Sequence, residues 1–366
     1  MFFQKLNKSL KIMSKFINHV EENSIKIGDY VIGKNQPCYI IAEIGINHNG
    51  KLDLAKKLVD AAVDVGANAV KFQKRSIKDL YRDDVLENPN IESQGLEILL
   101  EVLNEVELKE SDYDELVKHC QEKNITFLCT AWDKPSVDFL EKLGILAYKI
   151  ASADITNFPL LNYIIKTKKP LIVSTGMSTI DEIEKTVSFL KEKNATFILL
   201  HCNSTYPAPV DTLNLNLIPV LDSKFGVSVG YSGHESGIVG TLTAANMGAV
   251  AIERHITLDK TMDGLDQAAS LEPDEFKMLV KNVRESEKAK GVPTKKMTRG
   301  EILQKEVLAK SIVCTSDINE GDIFTEENID VRGPAKGLSP QYYYELLGKK
   351  SKRKIQKNQY IQDEDL

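Results

Sequence analysis

CYIIAEIGINHNGKLDLAKKLVDAAVDVGANAVKFQ, residues 38–73, decides how the chain is read. It opens with an apolar, β-rich run, CYIIAEIG (38–45), and passes through a turn rich in Gly and Asn. LDLAKKLVDAAVDVGA then carries its apolar residues at helical spacing, and NAVKFQ (68–73) is a second β-rich run. The interval is too long for a hairpin, so the two runs are expected to lie parallel, with the helix as crossover. The same alternation continues outward: ITFLCTA (125–131), LAYKIAS (146–152), PLIVSTG (170–176), TFILLHC (196–202), GVSVGYS (226–232) and AVAIERHI (249–256). Patterns such as SDYDELVKHCQEK, KPSVDFLEKLG and TIDEIEKTVSFLKEK supply the helices. Eight such units in ~250 residues is the count of a (β/α)8 TIM barrel, an α/β fold; a doubly wound sheet usually stops earlier.

The domain layout expected is an N-terminal extension (1–25), a catalytic barrel (26–289), a polar linker (290–305) and a small domain (306–366). In the extension Phe3, Leu6, Leu10, Ile12, Met13, Phe16 and Ile17 alternate with lysines, which is amphipathic spacing rather than a signal peptide. Residues 74–108 lengthen one βα connection on the face where barrels bind substrate. In the last stretch, short β-runs broken by Asn-Glu-Gly and Gly-Pro mark the small domain.

Of 366 residues, 42% are hydrophobic and 27% charged, which suits a globular chain with a large core. The net charge of −6 offers no global field for nucleic acid or anionic lipid, and no apolar run is long enough to span a membrane. Basic KKSKRKIQK (349–357) reads as a solvated face. Cys38, Cys120, Cys129, Cys202 and Cys314 are scattered and odd in number, so no disulfide framework is indicated and a cytoplasmic location is expected.

In a barrel the C-terminal ends of the strands meet at one mouth. There the sequence places Glu43, Lys71, Gln73, Thr130, Lys149, Ser152, Ser174, Thr175, His201, Ser232, His234, Glu253 and His255. Every strand ends in a polar group although its body is apolar, which describes a wet, functional cavity. His234 and His255, from neighbouring strands, suit a divalent metal or are hydrogen-bonded structural histidines. His201 is either a site group or a core histidine. Lys71 and Lys149, with Thr130, Ser152 and Ser174, form a site for an anion with several oxygens. Two other readings of the lysines are a Schiff-base Lys149, as in a lysine-dependent aldolase, and a salt-bridge network with Glu43, Asp154 and Glu253. Glu43 is the best-placed carboxylate for proton transfer, with Asp266 second. A silent sugar-binding scaffold would have no use for this set of groups.

IAEIGINHNG (41–50), KFQ (71–73), AYKIAS (147–152), STGM (174–177), HCNSTYPAP (201–209), GYSGHESG (230–237), ERHITLDK (253–260) and ASLEP (269–273) resemble the sialic acid synthase family. The match runs from about residue 26 to the C-terminus, and the last part looks like the family's antifreeze-like (SAF) domain. The resemblance implies an enzyme that condenses phosphoenolpyruvate with N-acetylmannosamine or a close relative, releasing phosphate. It also implies a domain-swapped homodimer. By motif position, His234 and His255 would ligate Mn²⁺ or Mg²⁺, and Lys71, Thr130, Lys149, Ser152, Ser174 and Ser232 would hold phosphoenolpyruvate. Gln73, Tyr206 and Asp266 would contact the acceptor sugar, with Glu43 as acid/base. Two departures stand out: VRGPAKG puts Arg332 one residue before the place where bacterial relatives have their capping arginine, and Ser204 stands where some members have Asn.

GYSGHESG and ERHITLDKT look like the branch that takes N-acetylmannosamine 6-phosphate. In the insertion, however, Arg82 is the only late cation among Asp83, Asp84, Glu87, Glu92 and Glu97, which favours an unphosphorylated sugar. Legionaminic or pseudaminic acid synthesis uses similar enzymes on 6-deoxy acceptors.

Overall fold

The computed structural model describes residues 23–89 and 95–366. The amphipathic extension therefore lies almost wholly outside the described residues, as does Glu92 of the insertion. Two compact units divide at Gly291 and Val292.

The first unit opens with a short hairpin, β1 (Ile25–Ile27) and β2 (Tyr30–Ile32), turning at Gly28. Eight parallel strands follow: β3 (Tyr39–Gly45), β4 (Ala69–Lys74), β5 (Thr126–Ala131), β6 (Tyr148–Ile150), β7 (Leu171–Ser174), β8 (Phe197–Cys202), β9 (Val229–Gly233) and β10 (Ala251–His255). β10 pairs with β3 and closes the barrel, which excludes the open sheet. Each run read as a strand forms one.

Closure follows from the period of two along each strand. Ile40, Val70, Cys129 and Ile252 pack outward beneath the helices, while Ile41, Ala69, Leu128 and Ala251 belong to a separate inner cluster. That inner cluster includes Ile25, Ile27 and Ile32, so the hairpin closes the N-terminal end of the barrel with apolar side chains. Full burial of such a side chain stabilises the fold by about 1.5–3 kcal/mol. Helices start where the sequence supplies caps. Asp133 accepts from the Ser136 amide (2.7 Å) ahead of helix Lys134–Leu143, and Thr179 and Glu182 form a capping box for helix Ile180–Glu192. Gly230 lies inside β9, not in a turn: a Cβ there would sit 2.5 Å from the Ala251 carbonyl oxygen. The long β4–β5 connection carries helices Ile77–Leu80, Asp83–Glu87 and Leu96–Val106 before the regular barrel helix Glu110–Glu122.

In the second unit β11 (Ser311–Cys314) and antiparallel β12 (Ile329–Arg332) pack around a core of Ile312, Phe324, Ile329, Ile355 and Ile361, preceded by helix Arg299–Leu308, which buries no side chain among the described residues. Much of the stretch read as a linker is thus helical. Thr298 and Glu301 box the helix N-terminus, a signal present in the sequence as Thr-Arg-Gly-Glu. All five cysteines are free and buried, and no helix among the described residues is long and apolar enough to cross a membrane.

Candidate active site

Register decides what meets at the barrel mouth. Glu43 stands beside Lys71 and His255, Gln73 beside Thr130, Thr130 beside Lys149, and Ser232 beside Glu253. Strand β3 shifts register between Glu43 and Gly45, and Gly45 takes a left-handed φ of 54° against Glu43, Gln73 and the His255 ring.

The floor of the mouth is a buried charge layer. Lys71 Nζ lies 2.9 Å from Glu43 Oε2, 3.9 Å from Glu253 Oε2, and donates to Thr130 Oγ1 (3.1 Å). Lys149 Nζ lies 3.7 Å from Glu253 Oε1 and donates to the Ile150 carbonyl (3.2 Å). Ser232 donates to Glu253 (3.0 Å) and Gln73 to Glu43 (3.0 Å). All four charged groups are at most 4% exposed.

The two carboxylates respond oppositely to this setting. Burial pushes the Glu43 carboxyl above its ordinary range, with Lys71 working against the shift and Glu253 adding to it. Burial opposes ionisation of Glu253 too, but Lys149 and Lys71 outweigh it and bring that carboxyl down to about 2. Burial works against the charge of Lys71, yet Glu253 and Glu43 raise its pKa, whereas burial lowers that of Lys149 against the pull of Glu253. Sequence reasoning places Glu253 at its strand end and in a salt-bridge network but gives it no binding or catalytic role. Its signal was the even spacing to His255, which points both side chains inward.

Beside the charge layer lies a group of small polar side chains. Ser152 Oγ accepts from the Gly176 amide (3.1 Å), and Cys202 Sγ lies 3.7 Å from both Ser152 and Ser204 hydroxyls. A Cβ on Gly176 would meet Ser204 Oγ at 2.2 Å and Ser152 Oγ at 2.7 Å, so a larger residue there would displace both hydroxyls. The Ser174 hydroxyl is buried without a protein partner. Next to this group, with His234 Nδ1 3.9 Å from Cys202 Sγ, the His234 and His255 rings lie 5.4 Å apart, and Tyr206, 46% exposed, lies 4.0 Å from the His234 ring. Asp266 Oδ2 is 3.6 Å from His255 Nδ1. Burial lowers His255 to about 4, so its ring is neutral at pH 7.

The donor set fits a divalent metal in part. His234 Nδ1 bonds the Asn203 carbonyl (2.8 Å), so Nε2 is the atom that could ligate, and His255 Nδ1 is buried with no hydrogen-bond partner. Among the described residues no three His, Cys, Asp or Glu side chains gather as a ligand set, so other ligands would come from substrate and water. His201 bonds the Leu213 carbonyl (2.7 Å) and is a core histidine. Asp154 pairs with Asn157 (2.8 Å) and takes no part in the salt-bridge network. Arg332 belongs to the second unit, where it is exposed and contacts Asp330 (3.2 Å) and Asn358 (3.3 Å).

A closed (β/α)8 barrel with paired lysines, glutamates and histidines at its mouth, followed by a separate C-terminal unit, defines a class of barrel synthases. The chain belongs to the NeuB family, whose model matches residues 58–295, and the SAF domain model matches residues 309–366. It is 41% identical to N,N'-diacetyllegionaminic acid synthase of Campylobacter jejuni, over 88% of this chain and 98% of that protein. Human N-acetylneuraminate-9-phosphate synthase is 37% identical, with coverage of 91% and 94%. The crystal structure of the sialic acid synthetase of Leptospira borgpetersenii, in complex with citrate, superposes with a TM-score of 0.68 at 36% identity, covering 77% of this chain and 94% of that one. The family's members are synthases of the sialic acid type.

Proposed function

We propose that this chain condenses phosphoenolpyruvate with the open-chain aldehyde of an N-acetylmannosamine-type sugar, giving a nine-carbon 3-deoxy-2-keto sugar acid and phosphate. The observation that carries this reading is the buried layer of two lysines and two glutamates beside a histidine pair. Lys71 and Lys149, with Thr130, Ser152, Ser174 and Ser232, supply cations and hydroxyls for one phosphate and one carboxylate. Their charge stabilises the anion without consuming the enol, and Glu253, held ionised, keeps both ammonium groups in place.

Glu43 performs the proton transfers. C3 of phosphoenolpyruvate bonds to the aldehyde carbon, and the raised pKa of Glu43 suits it to protonate the former aldehyde oxygen. Water then adds at C2 and gives up a proton, which the emptied Glu43 carboxylate can accept. Collapse of that adduct breaks the bond from C2 to the phosphate oxygen, the C2 hydroxyl becomes the keto group, and its proton leaves with the phosphate. His234 and His255 would hold Mn²⁺ or Mg²⁺, which supplies Lewis-acid polarisation of the aldehyde. Gln73, Tyr206, Ser204 and Asp266 line the acceptor side.

The late part of the β4–β5 connection supports an acceptor without a 6-phosphate, since its cation Arg82 is held by Asp84 at 2.7 Å; nearer the mouth Lys74 is held by Glu107 at 2.6 Å, while Arg75 donates to Gln73 and keeps a buried Nη1 without a hydrogen-bond partner. The 6-deoxy diacetamido sugar named for the Campylobacter relative is a second acceptor of that kind. Helix Arg299–Leu308 exposes Ile302, Leu303, Val307 and Leu308, an apolar face that supports a homodimer, and a role for Arg332 at the sugar rests on the family resemblance. The proposed functional division is 1–25, 26–289, 290–305 and 306–366, with Ile25 already part of the hairpin under the barrel and helix 299–308 spanning the last boundary.

The test is phosphate release from phosphoenolpyruvate with N-acetylmannosamine, its 6-phosphate or a 6-deoxy diacetamido hexose, with Mn²⁺ or EDTA. Mn²⁺-dependent release with an unphosphorylated sugar is expected, and borohydride should trap no adduct on Lys149. Preference for the 6-phosphate would overturn the acceptor reading. Metal-independent release with a borohydride-trapped Lys149 would replace the mechanism by an aldolase one.

A further inference from the structure

The β9–β10 ladder ends at Gly233 and Arg254, one residue short of His234 and His255; His255 pairs instead with Glu43 on β3, and the His234 carbonyl accepts from the Ala208 amide (3.0 Å). Backbone pairing between these two strands therefore does not itself fix the histidines. Arg254 precedes His255 and, by strand alternation, points away from the barrel interior into the helix layer, where Glu235, which follows His234, is also buried. Both side chains are at most 1% exposed.

A dense set of bonds joins them. Arg254 Nη2 donates to the Glu235 carbonyl (2.6 Å), and Nη1 donates to the Gly237 carbonyl (2.7 Å), Thr241 Oγ1 (2.8 Å) and Glu235 Oε1 (3.2 Å). Thr241 donates to Glu235 Oε1 (2.7 Å), and Tyr231 to Oε2 (2.9 Å). One guanidinium thus grips two carbonyls of the turn that carries His234. Packing leaves little slack, because a Cβ on Gly233 would meet Glu235 Oε2 at 2.6 Å and one on Gly240 would meet Oε1 at 2.8 Å.

We propose that the buried Arg254–Glu235 pair is a positioning device that sets the spacing of His234 and His255 for a divalent cation from outside the barrel. The proposal rests on the metal reading above. A pair whose only role was charge neutralisation would need neither the planar fork nor the two carbonyl bonds. Lysine separates the two roles: Arg254→Lys keeps the charge opposite Glu235, but its single nitrogen cannot span both carbonyls.

The experiment is Mn²⁺ titration of the metal-free full chain, following free Mn²⁺ by electron paramagnetic resonance, alongside thermal unfolding. Arg254→Lys should unfold near the wild-type temperature yet bind Mn²⁺ about 10–100-fold more weakly. Thr241→Val, which keeps both charges and removes only the shared hydroxyl, serves as the second variant and should weaken Mn²⁺ in the same direction, by less. A folded Arg254→Lys or Thr241→Val with wild-type Mn²⁺ affinity overturns the positioning role. Wild-type protein that binds no Mn²⁺, or binds it equally after His234→Ala, overturns the metal reading itself.

Discussion

The two halves of the barrel interior are built from the same eight strands and share almost nothing else. The lower half holds Ile41, Ala69, Leu128, Ala147, Ile172 and Ile198, closed beneath by the hairpin isoleucines. Two residues higher, the same strands point Glu43, Lys71, Thr130 and Lys149 into the space, equally buried. The lower half stabilises the fold through apolar area. The upper half keeps paired charges away from water, which is weak evidence for stability and strong evidence for chemistry.

The sharpest way to break the contrast is to move a charge downward. Ile198→Asp places a carboxylate in the inner apolar cluster with Ile172 as its ladder partner on β7, and the chain should fail to fold, read as loss of the cooperative unfolding transition. The converse, Glu43→Gln in the upper half, should leave a folded protein whose kcat falls by about 10²–10⁴.

Stability against pH sharpens the comparison within the upper layer. Glu253 has a folded pKa of about 2, below its unfolded value, so its contribution is full above the ordinary carboxyl range and is lost as pH falls toward 2. Glu43 has a raised folded pKa, so its contribution is present at low pH and lost as pH rises through that pKa. Glu253→Gln should therefore lower stability at pH 7 by about 3–5 kcal/mol, since it also leaves the lysines uncompensated. Glu43→Gln should raise stability relative to wild type as pH increases from 4 to 8. Denaturant unfolding at several pH values checks both signs. The smallest effect is expected outside the inner layer: Thr179→Ala removes a helix cap near the mouth, with a loss of about 1 kcal/mol and an unchanged kcat.

Most of the barrel was legible because each strand is an apolar run with a polar end, and period two then dictates which residues face inward. The hairpin was missed: three-residue strands fall below any run-length signal, although IKI-GD-YVI carries the alternation and the turn. Helix Arg299–Leu308 was passed over because it buries no side chain among the described residues, and only its cap announces it. Histidines and lysines of the mouth were found from strand ends alone. Glu253 was undervalued because its meaning lies in non-local distances to Lys71 and Lys149, and the Arg254–Glu235 pair because it faces away from the cavity.

The central claim is that two buried carboxylates, sharing the same lysines, hold opposite protonation preferences. Carbon-13 NMR titration of the metal-free protein with labelled glutamate, assigned through Glu43→Gln and Glu253→Gln, measures this directly. The account predicts that Glu43 titrates above the usual carboxyl range and Glu253 near 2. Two resonances titrating together in the ordinary range, or in the reverse order, would contradict it.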